Sequence, residues 1–357
     1  MNLKHSKSVL FGTSALVCFA LAAPVMADDF VITGSDNSTN GTGTTNGGTT
    51  AAIADTAIDG SDTVSLGIAL TTTGTNVGIK TNNNDTEAQS NTVTVTKTGS
   101  ITTGTGNNAY GIFNDGAYNT TTVSGSITTA GFFANGIRND GNYNKTTLSG
   151  SITTSNDTYA YGIYNLGDSN TTTVSGSITT GTGNSAHGII NIGDSNTTTV
   201  SGSIATTGSE AGGIFIDGNN NTTTVSGSIK TEGAGAYGIS NGGYNNTTTV
   251  SGSITTTGDD SYGIVLGTGT GSPGTTTISG TVKATGAGSA ALLISSGNGN
   301  NSFTLDEGAI IFGDIIALEY AAFFQEITNS KLIFNLGAST SYAYSVSGKG
   351  EGTGTGQ

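Results

Sequence analysis

Residues 170–195 read NTTTVSGSITTGTGNSAHGIINIGDS, and residue 196 begins the same sentence again. From residue 91 to about residue 280 this unit of 25 or 26 residues recurs seven times. Self-similarity at such a period means one supersecondary unit stacked on copies of itself, so the chain is a solenoid and not a globule.

The register within the unit is stricter than its length. The isoleucine of the S-G-S-I stretch recurs at Ile101, Ile127, Ile152, Ile178, Ile204, Ile229 and Ile254, and then as Val282. A second marker, the isoleucine of a Gly-Ile pair, recurs at Ile112, Ile137, Ile163, Ile189, Ile214, Ile239 and Ile264. From the second marker to the next first marker is 15 residues each time, until a last step of 18; the other interval is 10 or 11. Slack of this kind is tolerated in a loop and not in a stacked strand. The Thr/Gly/Asn-rich stretch typified by residues 179–185 is therefore the loop corner of each coil.

The units are rich in Thr, Val, Ile, Gly, Asn and Ser, with no apolar stripe at helical spacing, which excludes helices. Alternation at period two is clear instead. Val123, Gly125 and Ile127 share one face of residues 120–127, and Thr120, Thr122, Ser124 and Ser126 share the other. Each unit thus predicts a strand of about seven residues and a shorter one at the Gly-Ile marker, with a weaker third pairing through the Gly/Asn corner. Successive copies stack in one direction, and crossover chirality favours the right-handed sense. The expected fold is all-β, a right-handed parallel β-helix. At roughly 4.8 Å per rung it forms a rod on the order of 40 Å long.

Two asparagine columns accompany the repeat. Asn114, Asn139, Asn165, Asn191 and Asn241 follow the Gly-Ile marker, interrupted by Ile216; Asn119, Asn144, Asn170, Asn196, Asn221 and Asn246 precede the threonine runs. In a stack of like rungs a buried amide can bond its neighbours above and below, so both columns are read as structural ladders. Asn119, Asn170, Asn196, Asn221 and Asn246 also open N-T-T sequons, which suggests glycosylation; a ladder explains the strict column, including Asn144, where Lys145 follows. The invariant Gly111, Gly136, Gly162, Gly188, Gly213, Gly238 and Gly263 are expected to lack room for a side chain.

Residues 1–27 have the form of a secretory signal: Lys4 and Lys7, an apolar run over 9–23, and Val25, Met26 and Ala27 as the small-residue cleavage site. The apolar run is too short for a confident transmembrane anchor, and no integral membrane segment is expected in the mature chain. Cys18 is the only cysteine and lies in that run, so a disulfide framework, a thiolate metal site and a cysteine nucleophile are excluded from the mature chain. Without residues 1–27 the chain holds 8 basic against 24 acidic residues, a formal charge of 8 − 24 = −16, which repels nucleic acid and anionic headgroups. Residues 28–62 read as a low-complexity lead-in, 63–298 as the β-helix repeats, 299–348 as closing coils and 349–357 as a flexible tail. The closing coils are richer in aromatics, with Phe303, Phe312, Tyr320, Phe323, Phe324, Phe334, Tyr342 and Tyr344, as suits the covering of an open last rung.

The units quoted as residues 119–129 (NTTTVSGSITT) and 109–112 (AYGI) resemble the passenger domains of bacterial autotransporters. Residues 303–314 (FTLDEGAIIFGD), 332–337 (LIFNLG) and 345–348 (SVSG) are similar to the coils that close such passengers. The resemblance covers about residues 64–348 and implies Sec-dependent contact with the export machinery, then display at the cell surface or outer membrane, or release outside the cell. It also implies a C-terminal barrel of alternating strands about ten residues long. Nothing after Gly348 reads as such strands, so the expectation is a truncated gene product, a fragment, or a passenger that has lost its own anchor.

Few residues suggest chemistry. His187, the only histidine beyond the leader, shares a column with Tyr110, Tyr161, Tyr237 and Tyr262 and reads as a repeat variant and not a base. Arg138, the only arginine, is expected to face solvent. Asp115 with Asp140, and Asp168 with Asp194, occupy adjacent rungs; roughly 5 Å apart, each pair is a weak candidate for a shared Ca²⁺. Turn-forming Asp beside Gly is the preferred reading. The expected function is therefore non-enzymatic, with no cofactor: an adhesive or structural passenger that meets an unidentified surface ligand or associates with itself. The alternative is ice binding through the outward Thr-x-Thr array of Thr120/Thr122, Thr171/Thr173, Thr197/Thr199, Thr222/Thr224, Thr247/Thr249 and Thr275/Thr277.

Overall fold

A computed structural model describes residues 29–32, 63–82, 86–87, 90–267, 274–294, 301–317, 331–334 and 346–348. The signal segment, most of the lead-in, the tail and the aromatics Tyr320, Phe323, Phe324, Tyr342 and Tyr344 lie outside these residues. The fold is all-β: a parallel β-solenoid of about nine coils. Among the described residues its strands form three sheets of 12, 11 and 10 strands. The first, here the Thr sheet, contains Thr120–Val123 and its copies; the Asn sheet contains Ile112–Asp115; the Ser sheet contains Ser126–Thr128. Like residues stack on like, as where Ile137 lies between Ile112 and Ile163 and Val200 between Val174 and Val225.

The expected seven-residue strand is two strands. Thr120–Val123 and Ser126–Thr128 belong to different sheets, with a corner at Ser124-Gly125 between them. The third sheet therefore arises by division of that strand and not through the Gly/Asn corner. Inward and outward alternation runs unbroken through so tight a corner, which makes it read as one strand. Asp29–Ile32, placed in the lead-in by sequence, adds a parallel strand beside Thr63–Leu66.

Each coil turns six residues inward, so six columns fill the interior. Three are apolar: between residues 91 and 282, Ile112, Val123 and Ile127 with their copies are all at most 1% exposed. Fully burying each such side chain contributes on the order of 2 kcal/mol. The other three are polar. They hold Asn114, Thr121 and Thr129 with their copies, including Thr146, Thr172 and Thr198 in the middle of the threonine run. Alternation had placed Thr120 and Thr122 outside, and they are partly exposed.

The two asparagine columns bond differently. In the first, Asn114 Nδ2 donates to Asn139 Oδ1 at 2.6 Å, Asn139 to Asn165 at 2.6 Å and Asn165 to Asn191 at 2.7 Å. Each amide also donates sideways to a buried threonine hydroxyl: Asn114 to Thr121 at 2.9 Å, and Asn191 to Thr198 at 2.9 Å. In the second column the side chain bonds main chain. Asn144 Oδ1 accepts from Asn119 N at 2.8 Å, and Asn170 Oδ1 from Asn144 N at 2.7 Å. Asn246 continues the pattern by accepting from Asn221 N at 2.7 Å. The sequon asparagines of this column are at most 2% exposed, so the fold leaves their amides no space for a glycan.

Where Ile216 and Leu266 replace an asparagine, the hydroxyls of Thr223 and Thr276 lose their donor and are buried without a partner. Opposite effects in one column follow. Thr223→Val should raise stability by about 1 kcal/mol, because it removes an unsatisfied buried hydroxyl. Thr198→Val should cost about 1–3 kcal/mol, because Asn191 then lacks its acceptor. Urea denaturation of the two variants checks this, and shifts of the same sign would contradict the ladder.

The glycines before each Gly-Ile isoleucine are held by packing. A Cβ on Gly188 would sit 2.4 Å from Ile204 Cγ2 and 2.6 Å from the Gly213 carbonyl oxygen. No helix among the described residues is long and apolar enough to cross a membrane.

Candidate functional site

The four candidate aspartates are already engaged. Asp115 and Asp140 are aligned in neighbouring strands of the Asn sheet, but each faces a cation of the chain. Asp115 pairs with Lys80 at 3.1 Å. Asp140 takes a bidentate contact from Arg138, with Nε to Oδ1 at 2.8 Å and Nη2 to Oδ2 at 2.6 Å. Asp168 and Asp194 lie in the turn between Asn and Thr sheets, where they cap main chain of the next coil. Asp168 Oδ1 accepts from Asp194 N at 2.7 Å, and Asp194 Oδ1 from Asn219 N at 2.7 Å. Asn142 plays the same part for Asp168 N at 2.7 Å. Asn and Asp interchange in this column because only the side-chain oxygen is used. Among the described residues no three His, Cys, Asp or Glu side chains converge as metal ligands.

Arg138 does not face open solvent. Its guanidinium lies over the rings of Tyr110, Tyr164 and Phe113 at 5.2, 5.3 and 5.5 Å, and Nη1 donates to Tyr110 Oη at 2.8 Å. Burial works against its charge, but the hydrogen bond to Asp140 and the charges of Tyr110 and Asp140 outweigh it and push the pKa above its ordinary value. The sequence hid this arrangement because the four partners come from three different coils.

His187 is buried, and its Nδ1 accepts from Gly212 N at 2.8 Å. Its ring stacks on Tyr161, Phe215 and Tyr237, each at 5.6 Å. Tyr237 is two coils away and reaches His187 because Gly212 between them has no side chain; a Cβ there would lie 2.0 Å from the Tyr237 ring. Burial lowers the His187 pKa to about 4. The ring is thus a neutral acceptor locked inside a stack.

The outer face of the Thr sheet is a two-column grid. Thr171 and Thr173 align with Thr197 and Thr199, these with Thr222 and Thr224, and on to Thr247/Thr249 and Thr275/Thr277. Thr92 and Thr94 extend it beyond Thr120 and Thr122, and Lys145 interrupts one column. The spacing is roughly 6.7 Å along a strand and 4.8 Å between strands. The corners beside this sheet are the four-residue turn at 116–119 and the Ser-Gly corner at 124–125. The variable loop, residues 129–136 in that coil, joins the Ser and Asn sheets and does not border the grid.

A cluster missed in the sequence lies beside the Asn sheet. Phe132, Phe133 and Tyr159 meet at the variable loops of two coils, with Phe133 stacked on Tyr159 at 4.8 Å and Phe132 edge-on to Phe133 at 4.6 Å. At the other end of the same strands Tyr118 and Tyr143 stack at 4.8 Å and 11°. The available signal was departure from the column: the other coils carry Asn, Ser, Asp, Glu or Gly at the loop position of Phe133 and Tyr159. No family model, curated protein or solved structure matches the chain.

Proposed function

We propose that the protein is an exported passenger-like rod with an adhesive or structural role at the cell surface or outside the cell, and without enzymatic activity. The observation that carries this reading is the in-register repetition of the outer faces. Successive coils repeat a threonine and serine pattern at a fixed rise, interrupted at Lys145, so weak contacts multiply along one rod. The leader-like start and the repeat style that resembles autotransporter passengers support it. Neutral His187 and the internally paired aspartates support the absence of chemistry, since each is held by main chain or an ion partner. Residues 28–348 fused to an autotransporter barrel should reach the cell surface, become accessible to external protease and change cell aggregation or attachment. Surface display with unchanged aggregation and attachment would remove the adhesive reading.

The threonine grid favours a second reading, ice binding, because four-residue turns border it from Thr120 to Val250, although eight residues, 267–274, precede Thr275. Under it the purified protein depresses freezing below melting, and Thr222→Tyr abolishes the effect. Ordinary freezing behaviour dismisses it.

A further inference from the structure

The aromatic stretch of the Asn sheet has the chemistry of a ligand platform. Among the described residues seven large apolar side chains are exposed, and Phe132, Leu166 and Tyr143 belong to two adjacent coils here. Tyr143 is 52% and Phe132 40% exposed. Exposed rings at both ends of neighbouring strands on a hydroxyl-covered rod mark a site of interaction. A second observation is independent of exposure. Phe133 and Tyr159 hold φ of 56° and 58°, and Tyr118 and Tyr143 hold 61° and 58°. Bulky residues rarely adopt this left-handed region, and the equivalent positions in other coils are Asn108, Ser185, Asn220 and Asn245 among others. Rings held in strained backbone at the surface, where the repeat has easier residues to hand, point to function.

The charge pattern selects the occupant. Arg138 is the natural anchor for an anion, but its fork is filled by Asp140 and its remaining edge by Tyr110. The whole chain carries a formal charge of −14. Acidic ligands and a second copy of the chain are both disfavoured. What remains suited to ring faces and edges, phenol hydroxyls and a closed Arg–Asp pair is a neutral, hydroxyl-rich ligand. We infer that Phe132, Phe133, Tyr159, Tyr143 and the Arg138 platform between them bind a neutral polysaccharide, laid along the coils that contain residues 113–166. This inference deepens the adhesive reading and rests on it.

The test is native affinity electrophoresis of the purified protein in gels containing hydroxyethyl cellulose, mannan, galactan or heparin. At least one neutral polymer should retard the protein, and heparin should not. The double variant Phe132→Asn, Tyr159→Ser uses residues that other coils carry at those positions, so it should keep the melting temperature and lose at least tenfold in affinity. Thr255→Ala on the Ser sheet should bind as wild type. Lack of retardation by every neutral polymer, or equal retardation of the double variant, would overturn the proposal. So would concentration-dependent dimers in sedimentation that the double variant abolishes, since the patch would then serve a second copy. Attachment of cells that display the double variant separates the two readings: if it equals wild type, the polysaccharide site is wrong and the adhesive rod stands.

Discussion

Gly176→Ala should unfold the coils on either side of it, at a cost of at least about 4 kcal/mol. Gly176 occupies the Ser-Gly corner between the Thr and Ser sheets, stacked directly on Gly150. A Cβ there would lie 1.9 Å from the Gly150 carbonyl oxygen and 2.7 Å from both the carbon and the oxygen of the Ser149 carbonyl. These are backbone atoms, with no rotamer to give way. The rung spacing is set by ladder hydrogen bonds on three sheets, so it cannot widen at one corner without breaking them. Gly274→Ala is the control: its Cβ would meet the Asn301 Oδ1 at 3.2 Å and the Asn246 carbonyl at 3.5 Å, and its effect should stay within about 1 kcal/mol. Denaturation midpoints and amide exchange read the difference. Solenoid coils interact only with their neighbours, so protection should fall first around residues 149–178. Equal midpoints for the two variants would show that the corner has room.

Stability should fall by up to about 3 kcal/mol as pH drops from 6.5 to about 4, through His187 alone. The imidazole titrates at 6.5 ordinarily and at about 4 in the fold, where burial disfavours its charge. Above pH 6.5 the ring is neutral in both states and its contribution is fully present. Between the two values the unfolded chain takes the proton first, so stability declines; below about 4 the loss is complete. Protonation of Nδ1 would also end its acceptance from Gly212 N. Neither stacked tyrosine titrates in this range, because burial pushes the hydroxyl pKa of both Tyr161 and Tyr237 upward. His187→Asn is the informative variant. Asn135 occupies the same column and already accepts from Tyr161 N at 3.0 Å, so asparagine keeps the bond and removes the titration. Urea denaturation of both proteins from pH 7.5 to 4 should give curves that diverge below 6.5. Parallel curves would mean that the ring is solvated.

The amino-acid sequence determined the period, the parallel stacking, the inward apolar columns and the loop corner, because these depend on which residue types recur and how far apart. Ile127 above Ile101, and the slack confined to one segment, follow from counting alone. The asparagine columns were legible for the same reason, and so was the lack of space at Gly188. Tertiary structure alone decided what each polar group bonds. Both asparagine columns look alike in sequence, yet one bonds amide to amide and the other amide to main chain. That depends on whether the side chain points across the interior or along the turn. The Ser-Gly corner was invisible because alternation continues through it. Thr121 was hidden as an inward residue in a run of identical threonines. Arg138 was read as exposed because its ring partners and Asp140 come together only when three coils are stacked. Local pattern reports the face on which a residue lies, whereas partners and backbone strain depend on the coils above and below, which only the stacked structure brings into contact.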